Sequence, residues 1–461
     1  MIRNSNRLKS IITGGGVIGR ALAEQLVHDG YSVTVIDRDA DKISEISNSL
    51  DVFGVQGNGA SYALLKNEVD AAHTDLFIAV TDSDETNILA CITAHMLGAK
   101  HTVARIRDVE YANQHQIYRE ELGISNIINP EYATAKEVQR TLHFPAATRV
   151  ELFAGGRAEL AEMCVEEEWP LVDKTLIEIN QGMGINLLIC AVARDGEVFV
   201  PKGDTVIKAK DVLYLTGSDE EFRSAIRKLK IHNRPVKSVM IAGGGRVSYY
   251  LCKELKEIHL NTTVLEYRDT ASERIAQEIP GVSVMKEDAL KYLDDMSESD
   301  IANTDAFVAI TSNDEYNLVS AMYAESQGIP KVISRISAKS RVKVLSENTR
   351  ICTISREDVA ADRIIGYARS ILNAKDNEQI ESLCRLMDGK VEFTEFHIDE
   401  RTPNLGVPIK NLTIKKNMLL AAIIRRGKVI VPRGNDCIME GDNILVCSIH
   451  APISKPEDIF A

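Results

Sequence analysis

A glycine-rich stretch that occurs twice constrains the fold of this chain most. Residues 10–37 read SIITGGGVIGRALAEQLVHDGYSVTVID, and residues 238–266 read SVMIAGGGRVSYYLCKELKEIHLNTTVLE. In each copy a short apolar run meets three glycines, a helical stretch follows, and a second β-branched run ends in a carboxylate. The first glycines of the two copies lie 229 residues apart, and so do the two carboxylates. One spacing at both ends indicates a duplicated unit rather than two unrelated glycine clusters.

The duplication extends along the whole chain. TDLFIAVTDSDETNILAC, from Thr74, matches TDAFVAITSNDEYNLVSA, from Thr304, and VFVPKGDTVIKAKDVLYL, from Val198, matches VIVPRGNDCIMEGDNILV, from Val429. These later matches have spacings of 230 and 231 residues, so the register drifts by only one residue at a time. We therefore predict a two-domain protein duplicated in tandem, in the order large, small, large, small.

Each large unit alternates short apolar strands with amphipathic helices. In the first, we predict strands at 11–12, 32–36, 52–55, 76–80, 102–106 and 127–128, and helices at 17–27, 39–46, 84–97 and 131–142. This order predicts βαβ crossovers, and hence an α/β fold with a Rossmann-like doubly wound parallel sheet. From about Val150 shorter β-rich segments around the turn Asp195-Gly196 predict a small α+β unit.

The four predicted domains are a first Rossmann domain, a first small domain, a second Rossmann domain and a second small domain. Their predicted bounds are 1–145, 149–232, 235–372 and 378–461.

Composition narrows the class of protein. Hydrophobic residues make up 44% and charged residues 26% of the 461 positions, as in soluble globular proteins. The longest apolar run, residues 187–193, is far shorter than the ~20 residues of a spanning helix. The N-terminus lacks the apolar region of a signal peptide, so we expect a cytoplasmic protein.

Charge and cysteine content exclude further classes. A net charge of −13 argues against nonspecific binding to nucleic acid or anionic lipid. The eight cysteines are scattered without a C-x-x-C pair, and we interpret them as small buried hydrophobic residues.

The glycines of the first copy form a dinucleotide-binding fingerprint. Gly14-x-Gly16-x-x-Gly19 follows a strand and opens a helix, which is the context that the fingerprint requires. Gly14 permits the tight turn, Gly16 removes a side chain that would block a pyrophosphate, and Gly19 allows the helix to pack closely on the sheet.

The residues around these glycines predict how a ligand is held. Free N–H groups of Val17 and Ile18, in the first helical turn, can bind a phosphate. Asp37 can accept hydrogen bonds from ribose hydroxyls and would repel a 2′-phosphate. The first site therefore favours NAD(H) or adenosine phosphates over NADP(H).

The second copy departs from this pattern. Gly243 and Gly245 are kept, but Ser248 replaces the third glycine, so we expect helix and strand to lie slightly farther apart. Arg246 stands at the helix start and Glu266 keeps the ribose acceptor.

A further change follows the third strand of the second copy. Glu287-Asp288 replaces Gly57-Asn58. The added carboxylate should weaken binding of an anionic ligand unless Arg246 offsets it, so we expect tighter binding at the first site.

Polar residues follow the fourth and fifth strands. Thr81 and Asp82 come after strand four, and Arg105 and Arg107 lie at and beyond the end of strand five. Ligands bind at these strand ends in such sheets. The arginines are candidates for contact with phosphate or with another subunit, and Arg335 recurs in the second copy at the place of Arg105.

We find no catalytic or metal motif. Tyr62-x-x-x-Lys66 and Tyr132-x-x-x-Lys136 resemble the Tyr/Lys pair of short-chain dehydrogenases, but the glycine spacing of those enzymes is absent. The ten histidines show no H-E-x-x-H or paired spacing. An NAD-dependent dehydrogenase with a duplicated Rossmann fold stays as the alternative, although it needs a substrate domain with an acid/base residue. A nucleotide-binding scaffold unrelated to ion transport is a third possibility.

The repeated strings resemble those of the TrkA family, the peripheral subunits of bacterial Trk potassium-uptake systems, over essentially the full length. The resemblance rests on GGGVIG with Asp37, QGNGAS from Gln56, TDLFIAVTDSDETNILAC, ARIRD from Ala104, and the VPKGD and VPRGN segments. It implies two regulator-of-potassium-conductance (RCK) Rossmann domains and two small RCK C-terminal domains in one chain. Where that family commonly has Gly-Asp after strand three, this chain has Gly57-Asn58 and Glu287-Asp288.

The resemblance also implies a function without catalysis. Such subunits form tetrameric gating rings under a TrkH- or TrkG-type membrane subunit and bind NAD(H), ATP or ADP, with no metal. We expect this chain to associate peripherally with the inner face of the membrane through that subunit. With the strand-end candidates, the expected first site comprises Gly14, Gly15, Gly16, Val17, Ile18, Gly19, Asp37, Arg38, Asn58, Val80, Thr81, Asp82, Arg105 and Arg107. The expected second site comprises Gly243, Gly244, Gly245, Arg246, Val247, Glu266, Asp288, Thr311 and Arg335.

Overall fold

The computed structural model describes most of the chain. The described residues are 8–108, 111, 115–144, 146–183, 187–229, 235–337, 351–376, 380–387, 389–450, 453 and 455–460. The predicted domain ends at 1, 145, 232, 378 and 461, like the N-terminal segment 1–7, lie outside them.

A six-stranded parallel sheet forms the first large unit. Its elements are β1 (Lys9–Thr13), α1 (Val17–His28), β2 (Ser32–Asp37), α2 (Ala40–Ser49), β3 (Val52–Gln56), α3 (Tyr62–Asn67), β4 (Leu76–Ala79), α4 (Asp84–Leu97), β5 (His101–Arg105), α5 (His115–Glu120), β6 (Asn126–Ile128) and α6 (Pro130–His143). The strand order β3-β2-β1-β4-β5-β6 confirms the predicted Rossmann-like topology. The order reverses between β1 and β4, and ligands of such sheets bind at this switch point.

A five-stranded antiparallel sheet forms the first small unit. Its elements are β7 (Arg149–Phe153), β8 (Ala158–Cys164), α7 (Leu176–Met183), β9 (Leu188–Arg194), β10 (Glu197–Phe199), β11 (Val212–Gly217) and α8 (Asp219–Lys228). The strand order is β10-β9-β11-β8-β7, and the β9–β10 hairpin turns at the predicted Asp195-Gly196.

The second half repeats both architectures. Its large unit contains β12 (Ser238–Ala242), α9 (Arg246–Glu257), β13 (Asn261–Leu265), α10 (Asp269–Glu278), β14 (Ser283–Met285), α11 (Ala289–Asp295), α12 (Glu298–Ala302), β15 (Ala306–Ala309), α13 (Asp314–Ser326), β16 (Lys331–Arg335), β17 (Cys352–Ile354) and α14 (Arg356–Asp376). Its small unit contains β18 (Ile380–Leu386), β19 (Val391–His397), β20 (Met418–Arg425), β21 (Lys428–Ile430) and β22 (Asn443–Ile449). The orders β14-β13-β12-β15-β16-β17 and β18-β19-β22-β20-β21 confirm the tandem duplication.

The last helix of each large unit packs on the other large unit. Ala135, Val138 and Leu142 of α6 are buried in the core between α9 and the second parallel sheet. Reciprocally, Ile364 and Ala368 of α14 are buried beside α1 in the core of the first sheet. The two halves therefore exchange helices and share their cores.

Polar contacts support this exchange. Tyr31 donates a hydrogen bond of 3.1 Å to the carbonyl of Ala368, and Arg369 forms an ion pair of 2.8 Å with Asp29.

The two small sheets also pack face to face, where Phe153 and Tyr214 share a core with Phe393. Among the described residues, none of the helices has the length and apolarity needed to cross a membrane.

Candidate functional site

Two glycines of the first loop are required by the fold itself. Gly14 has a φ of +108°, and a Cβ there would lie 2.9 Å from the backbone of Val80 and Thr81. A Cβ at Gly19 would lie 1.8 Å from the carbonyl oxygen of Gly14. The loop between β1 and α1 is therefore pressed against the end of β4.

Neither the backbone conformation nor contacts with the described residues require the middle glycine of the motif. Gly16 has an ordinary φ of −71°, and within the described part of the chain a Cβ there would meet no atom within 4 Å. Gly245, its counterpart, has a φ of −73° and the same open space. Both halves thus leave open space in front of the loop.

The helices that start at these loops have no side-chain cap. Among the described residues, no side chain accepts from the first-turn N–H groups of α1 or α9, which begin after Gly16 and Gly245. By contrast, α2 and α4 are capped by Asp39 and Ser83. The N–H groups of Val17 and Ile18 therefore have no intrahelical acceptor and can bind an anion.

Asp37 closes one side of the first site. Its Oδ2 accepts from the N–H of Gly15 at 2.6 Å, and its Oδ1 accepts from the N–H of Asp39 at 2.9 Å. The half-buried carboxylate keeps further lone pairs, so it can still accept from ribose hydroxyls. Arg38 and Asn58 are exposed at the same rim, and the Asn58 side chain accepts from the N–H of Ala60.

A buried asparagine organises the opposite side of the site. Asn87 of α4 accepts from the N–H and the hydroxyl of Thr81 at 2.8 and 2.7 Å. Its Nδ2 donates to the carbonyls of Thr81 and Arg105 at 3.1 and 2.9 Å. Asn87 therefore joins the ends of β4 and β5, and sequence reasoning missed it, although D-E-x-N recurs in both halves as Asp84 to Asn87 and Asp314 to Asn317.

Arg105 lies buried at the end of β5. Its side chain is 8% exposed and donates to Asp82, whose own side chain is 97% exposed, at 3.2 Å. Its Nε is buried without a hydrogen-bond partner among the described residues. Burial, and secondarily the charge of Arg107, lower the pKa of the Arg105 guanidinium. An incompletely satisfied cation at this strand end can donate a hydrogen bond to an oxygen of an anionic ligand.

Arg107 stabilises the loop after β4. Its Nε donates to Asp84 at 3.3 Å, and its Nη2 donates to the carbonyl of Asp82. The predicted residues Thr81, Asp82, Arg105 and Arg107 therefore lie together. Val80, also predicted, is buried, and its N–H donates to Thr13 of β1 at 2.9 Å.

The second site repeats the strand-end arrangement. Asn317 accepts from the N–H and the hydroxyl of Thr311 at 2.8 and 2.7 Å and donates to the Arg335 carbonyl at 3.0 Å. The Nε of Arg335 is also buried without a partner in the described residues. Burial, and then the nearby Arg356, lower the pKa of Arg335.

The glycine loop of the second site is built differently. Gly243 keeps a φ of +104°, but the buried Ser248 donates from its hydroxyl to the Gly243 carbonyl. The serine thus fills the place of the third glycine and adds a hydrogen bond to the loop. Gly244 donates to the Glu266 carboxylate at 2.6 Å, as Gly15 does to Asp37, and Val247 is buried.

Glu266 differs from Asp37 in its surroundings. It is 2% exposed, and Arg268 donates to its two carboxylate oxygens from Nε and Nη2 at 2.9 and 2.8 Å. Although burial raises the pKa of Glu266, hydrogen bonds from Arg268 and Gly244 outweigh it and leave the pKa below its ordinary value. The guanidinium of Arg268, rather than the carboxylate, is the exposed group at this position.

The two carboxylates after the third strand of the second copy have protein partners. Glu287 pairs with Lys291 at 2.6 Å. Asp288 caps α11 and accepts from the hydroxyl of Tyr316 at 2.9 Å. Both carboxylates thus have partners other than Arg246: a cation for Glu287 and neutral donors for Asp288.

Comparison with domain families gives two matches. The TrkA-N domain matches residues 10–130 and 239–381, and the TrkA-C domain matches residues 160–230.

Curated relatives match over nearly the whole length. Trk system potassium uptake protein TrkA homolog 2 of Methanosarcina mazei is 27% identical over 463 residues, covering 98% of this chain and 100% of its own. Trk system potassium uptake protein TrkA of Vibrio alginolyticus is 28% identical over 461 residues, covering 98% of each chain.

Solved structures share the fold. The GsuK channel superposes with a TM-score of 0.61 at 17% identity, over 99% of this chain and 78% of its own. The GsuK channel bound to NAD gives a TM-score of 0.59 at 16% identity, over 97% and 78%.

Proposed function

Because the chain belongs to the TrkA family of Trk-system potassium uptake proteins, we propose that it is the nucleotide-binding regulatory subunit of a potassium uptake system. In this proposal nucleotide is a ligand that selects a conformation, and a membrane potassium transporter is the partner that responds. TrkA-N matches cover more than half of the residues, and the GsuK neighbours have the same tandem fold.

One observation carries the nucleotide-binding part. Gly16 and Gly245 start uncapped helices, and neither glycine is needed by the backbone or by packing against the described residues. Within the described residues no steric contact requires a glycine at either place, whereas the close approach of a phosphate to the helix terminus does. A bound nucleotide would supply negative charge there.

The first site would hold the ligand between two groups of residues. The N–H groups of Val17 and Ile18 suit the phosphates, and Asp37 suits a ribose. Arg105, held by Asn87 and Asp82, suits an anionic part of the ligand on the other rim. This chemistry supports NAD(H), ATP or ADP at the first site.

Charged residues connect the sites to the exchanged helices. Glu131, near the start of α6, interacts electrostatically with Arg105 of the first site and Arg335 of the second. It also pairs with Arg356 at the start of α14. A change in the position or solvation of either arginine would alter this buried cluster, and hence the packing between the halves.

The assembly belongs to the same proposal. We infer a ring, most simply a tetramer, that lies beneath a TrkH- or TrkG-like membrane subunit on the cytoplasmic face. Four chains would contribute eight Rossmann units, and conformational changes at the exchanged helices would reach the pore subunit through the ring.

The substitution Gly16→Asp tests the first site. The Cβ of an aspartate here would meet no described atom within 4 Å, and its carboxylate would repel phosphate, so the chain should fold but lose binding at one site. We expect calorimetry to lose one class of nucleotide sites, and potassium flux through the reconstituted transporter to lose its response to that nucleotide. A transporter that stays fully nucleotide-responsive with this variant would overturn the assignment of the first site.

A further inference from the structure

The charges beside the two glycine loops differ between the halves. At three equivalent positions the first half has Val17, Asp39 and Glu45, whereas the second half has Arg246, Arg268 and Arg274. At these three positions the second site is therefore basic where the first site is neutral or acidic, whereas directly after the ribose acceptor the first half has Arg38 and the second has Tyr267.

These arginines line one cavity in the second half. A cavity of about 330 Å³ is lined by Gly244 and Gly245 of the loop and by Arg246, Arg268 and Arg274. It is continuous with the glycine loop, so a ligand whose phosphates lie over α9 would reach it.

Arg268 changes the recognition of the ribose. In Rossmann sheets the carboxylate at the end of the second strand binds the ribose 2′-hydroxyl, while a nearby arginine accommodates a 2′-phosphate. Here Arg268 covers the buried Glu266 and is itself 51% exposed. The negative charge that would repel a 2′-phosphate is thereby neutralised.

The other two arginines are held next to it. The Arg274 guanidinium carbon lies 4.6 Å from the ring centroid of Tyr249, and Arg274 pairs with Glu278 at 3.3 Å. Arg246 has no ion pair with any of the described residues. In the first half the place of the Tyr249–Arg274 contact is taken by an Arg20–Glu45 ion pair.

The start of α10 adds to the same environment. Arg268 occupies its N-cap position, and within the described structure no side chain caps that helix. The first turns of α9 and α10 thus both present N–H groups near the cavity, which again favours an anion.

We propose that the second nucleotide site selects an adenine nucleotide that carries a phosphate on the 2′ position of its ribose, as NADP(H) does, while the first site selects the unphosphorylated ribose. This inference rests on the proposed function, because it takes both glycine loops as nucleotide sites. It makes the chain a sensor of two chemically different nucleotides.

Calorimetry on the full chain with one site disabled tests this inference. In the Gly16→Asp chain, adenosine 2′,5′-bisphosphate should bind at least about tenfold tighter than ADP or adenosine 3′,5′-bisphosphate, because each added charge-assisted hydrogen bond contributes about this factor. For the same reason NADPH should bind tighter than NADH. In the Gly245→Asp chain, NADH should bind tighter than NADPH.

Substitutions in the Gly16→Asp chain identify the residues responsible. Arg246→Val, which installs the first half's residue, and Arg274→Gln should each reduce the preference for the 2′-phosphate by about tenfold. The matched control Lys253→Gln removes an exposed positive charge that also contacts Tyr249 but does not line the cavity, and it should change nothing. Arg268→Gln is less informative because it uncovers the buried Glu266.

The outcomes separate this inference from the proposed function. Preference of the Gly16→Asp chain for ADP, ATP or NADH, or equal binding of the 2′,5′- and 3′,5′-bisphosphates, would overturn the inference and leave nucleotide regulation standing. Failure of the unsubstituted chain to bind any of these nucleotides would overturn both.

Discussion

Arg356 Nη1 lies 3.3 Å from Glu131 Oε1, across the contact between the two halves. Its Nη2 also donates to Glu357 at 2.7 Å. One guanidinium therefore serves two buried carboxylates that begin the exchanged helices α6 and α14. In the first half, Pro130 occupies the position at the start of α6 that corresponds to Arg356, so this half has no equivalent arginine there.

Arg356→Gln should destabilise the joined Rossmann units. Without the guanidinium, the buried Glu131 and Glu357 would lose their ion-pair partner, which costs about 3 kcal/mol of unfolding free energy. Urea denaturation followed by far-UV circular dichroism should show a lower midpoint. Arg401→Gln, which breaks a solvent-exposed pair with Asp399, should leave the urea midpoint nearly unchanged and is the control.

Gly16→Ala should lower nucleotide affinity, whereas Gly19→Ala should lower the stability of the fold. A methyl at Gly16 enters open space, so the thermal midpoint should hold while nucleotide affinity falls by about tenfold or more. A methyl at Gly19 would lie 1.8 Å from the Gly14 carbonyl oxygen, so the strain should lower stability by about 1–3 kcal/mol. A Gly16→Ala protein with unchanged affinity would contradict the role given to that glycine.

Asn87→Ala should disconnect the strand ends of the first site. The side chain makes four hydrogen bonds in a buried position, and losing them leaves Thr81 and Arg105 groups unsatisfied, at a cost of about 1–3 kcal/mol. Binding at the first site should weaken in calorimetry. Asn317→Ala is the matched variant: it should cost similar stability but weaken the second site instead, and identical binding profiles of the two variants would contradict the assignment.

The buried Glu137 of the exchanged helix α6 should make the stability of the chain depend on pH. Burial, and then the charge of Glu151, raise the pKa of Glu137 to about 7, whereas in the unfolded chain it is near the ordinary 4.5. The protonated form is therefore favoured in the folded state, so its stabilisation is fully present below pH 4.5 and is lost as the pH rises through about 7. Glu137→Gln should flatten the fall in denaturation midpoint between pH 5 and 8. An unchanged profile would show that Glu137 does not titrate in this range.

Local patterns were sufficient to predict the Rossmann sheets. The strand-end positions and the helix at 84–97, which matches α4, follow from apolar periodicity together with glycine and capping residues. The hairpin of β7 and β8 was not predicted because Glu151, Glu159 and Glu162 interrupt the apolar alternation that identifies a strand. These strands are nonetheless buried on one face by the opposing small sheet.

Long-range relationships could not be predicted in this way. The apolar face of α6 indicates that Val138 and Leu142 are buried, but it does not indicate against which sheet. The pairing of Glu266 with Arg268 likewise depends on a side-chain conformation, so a sequence with an acidic residue at the strand end resembled an NAD site. The role of Asn87 could not be predicted either, because only the folded chain brings the ends of β4 and β5 within hydrogen-bonding distance of its side chain.

The exchange of α6 and α14 constrains how such a chain could have arisen. A half-length ancestor would leave the apolar faces of its last helix and of its sheet uncovered, so it would have to pair with an identical copy and offer two identical ligand sites. Fusion of the two copies fixes their stoichiometry at one to one. Each half is then free to diverge without forming mismatched pairs, and the different charges beside the two glycine loops are one such divergence.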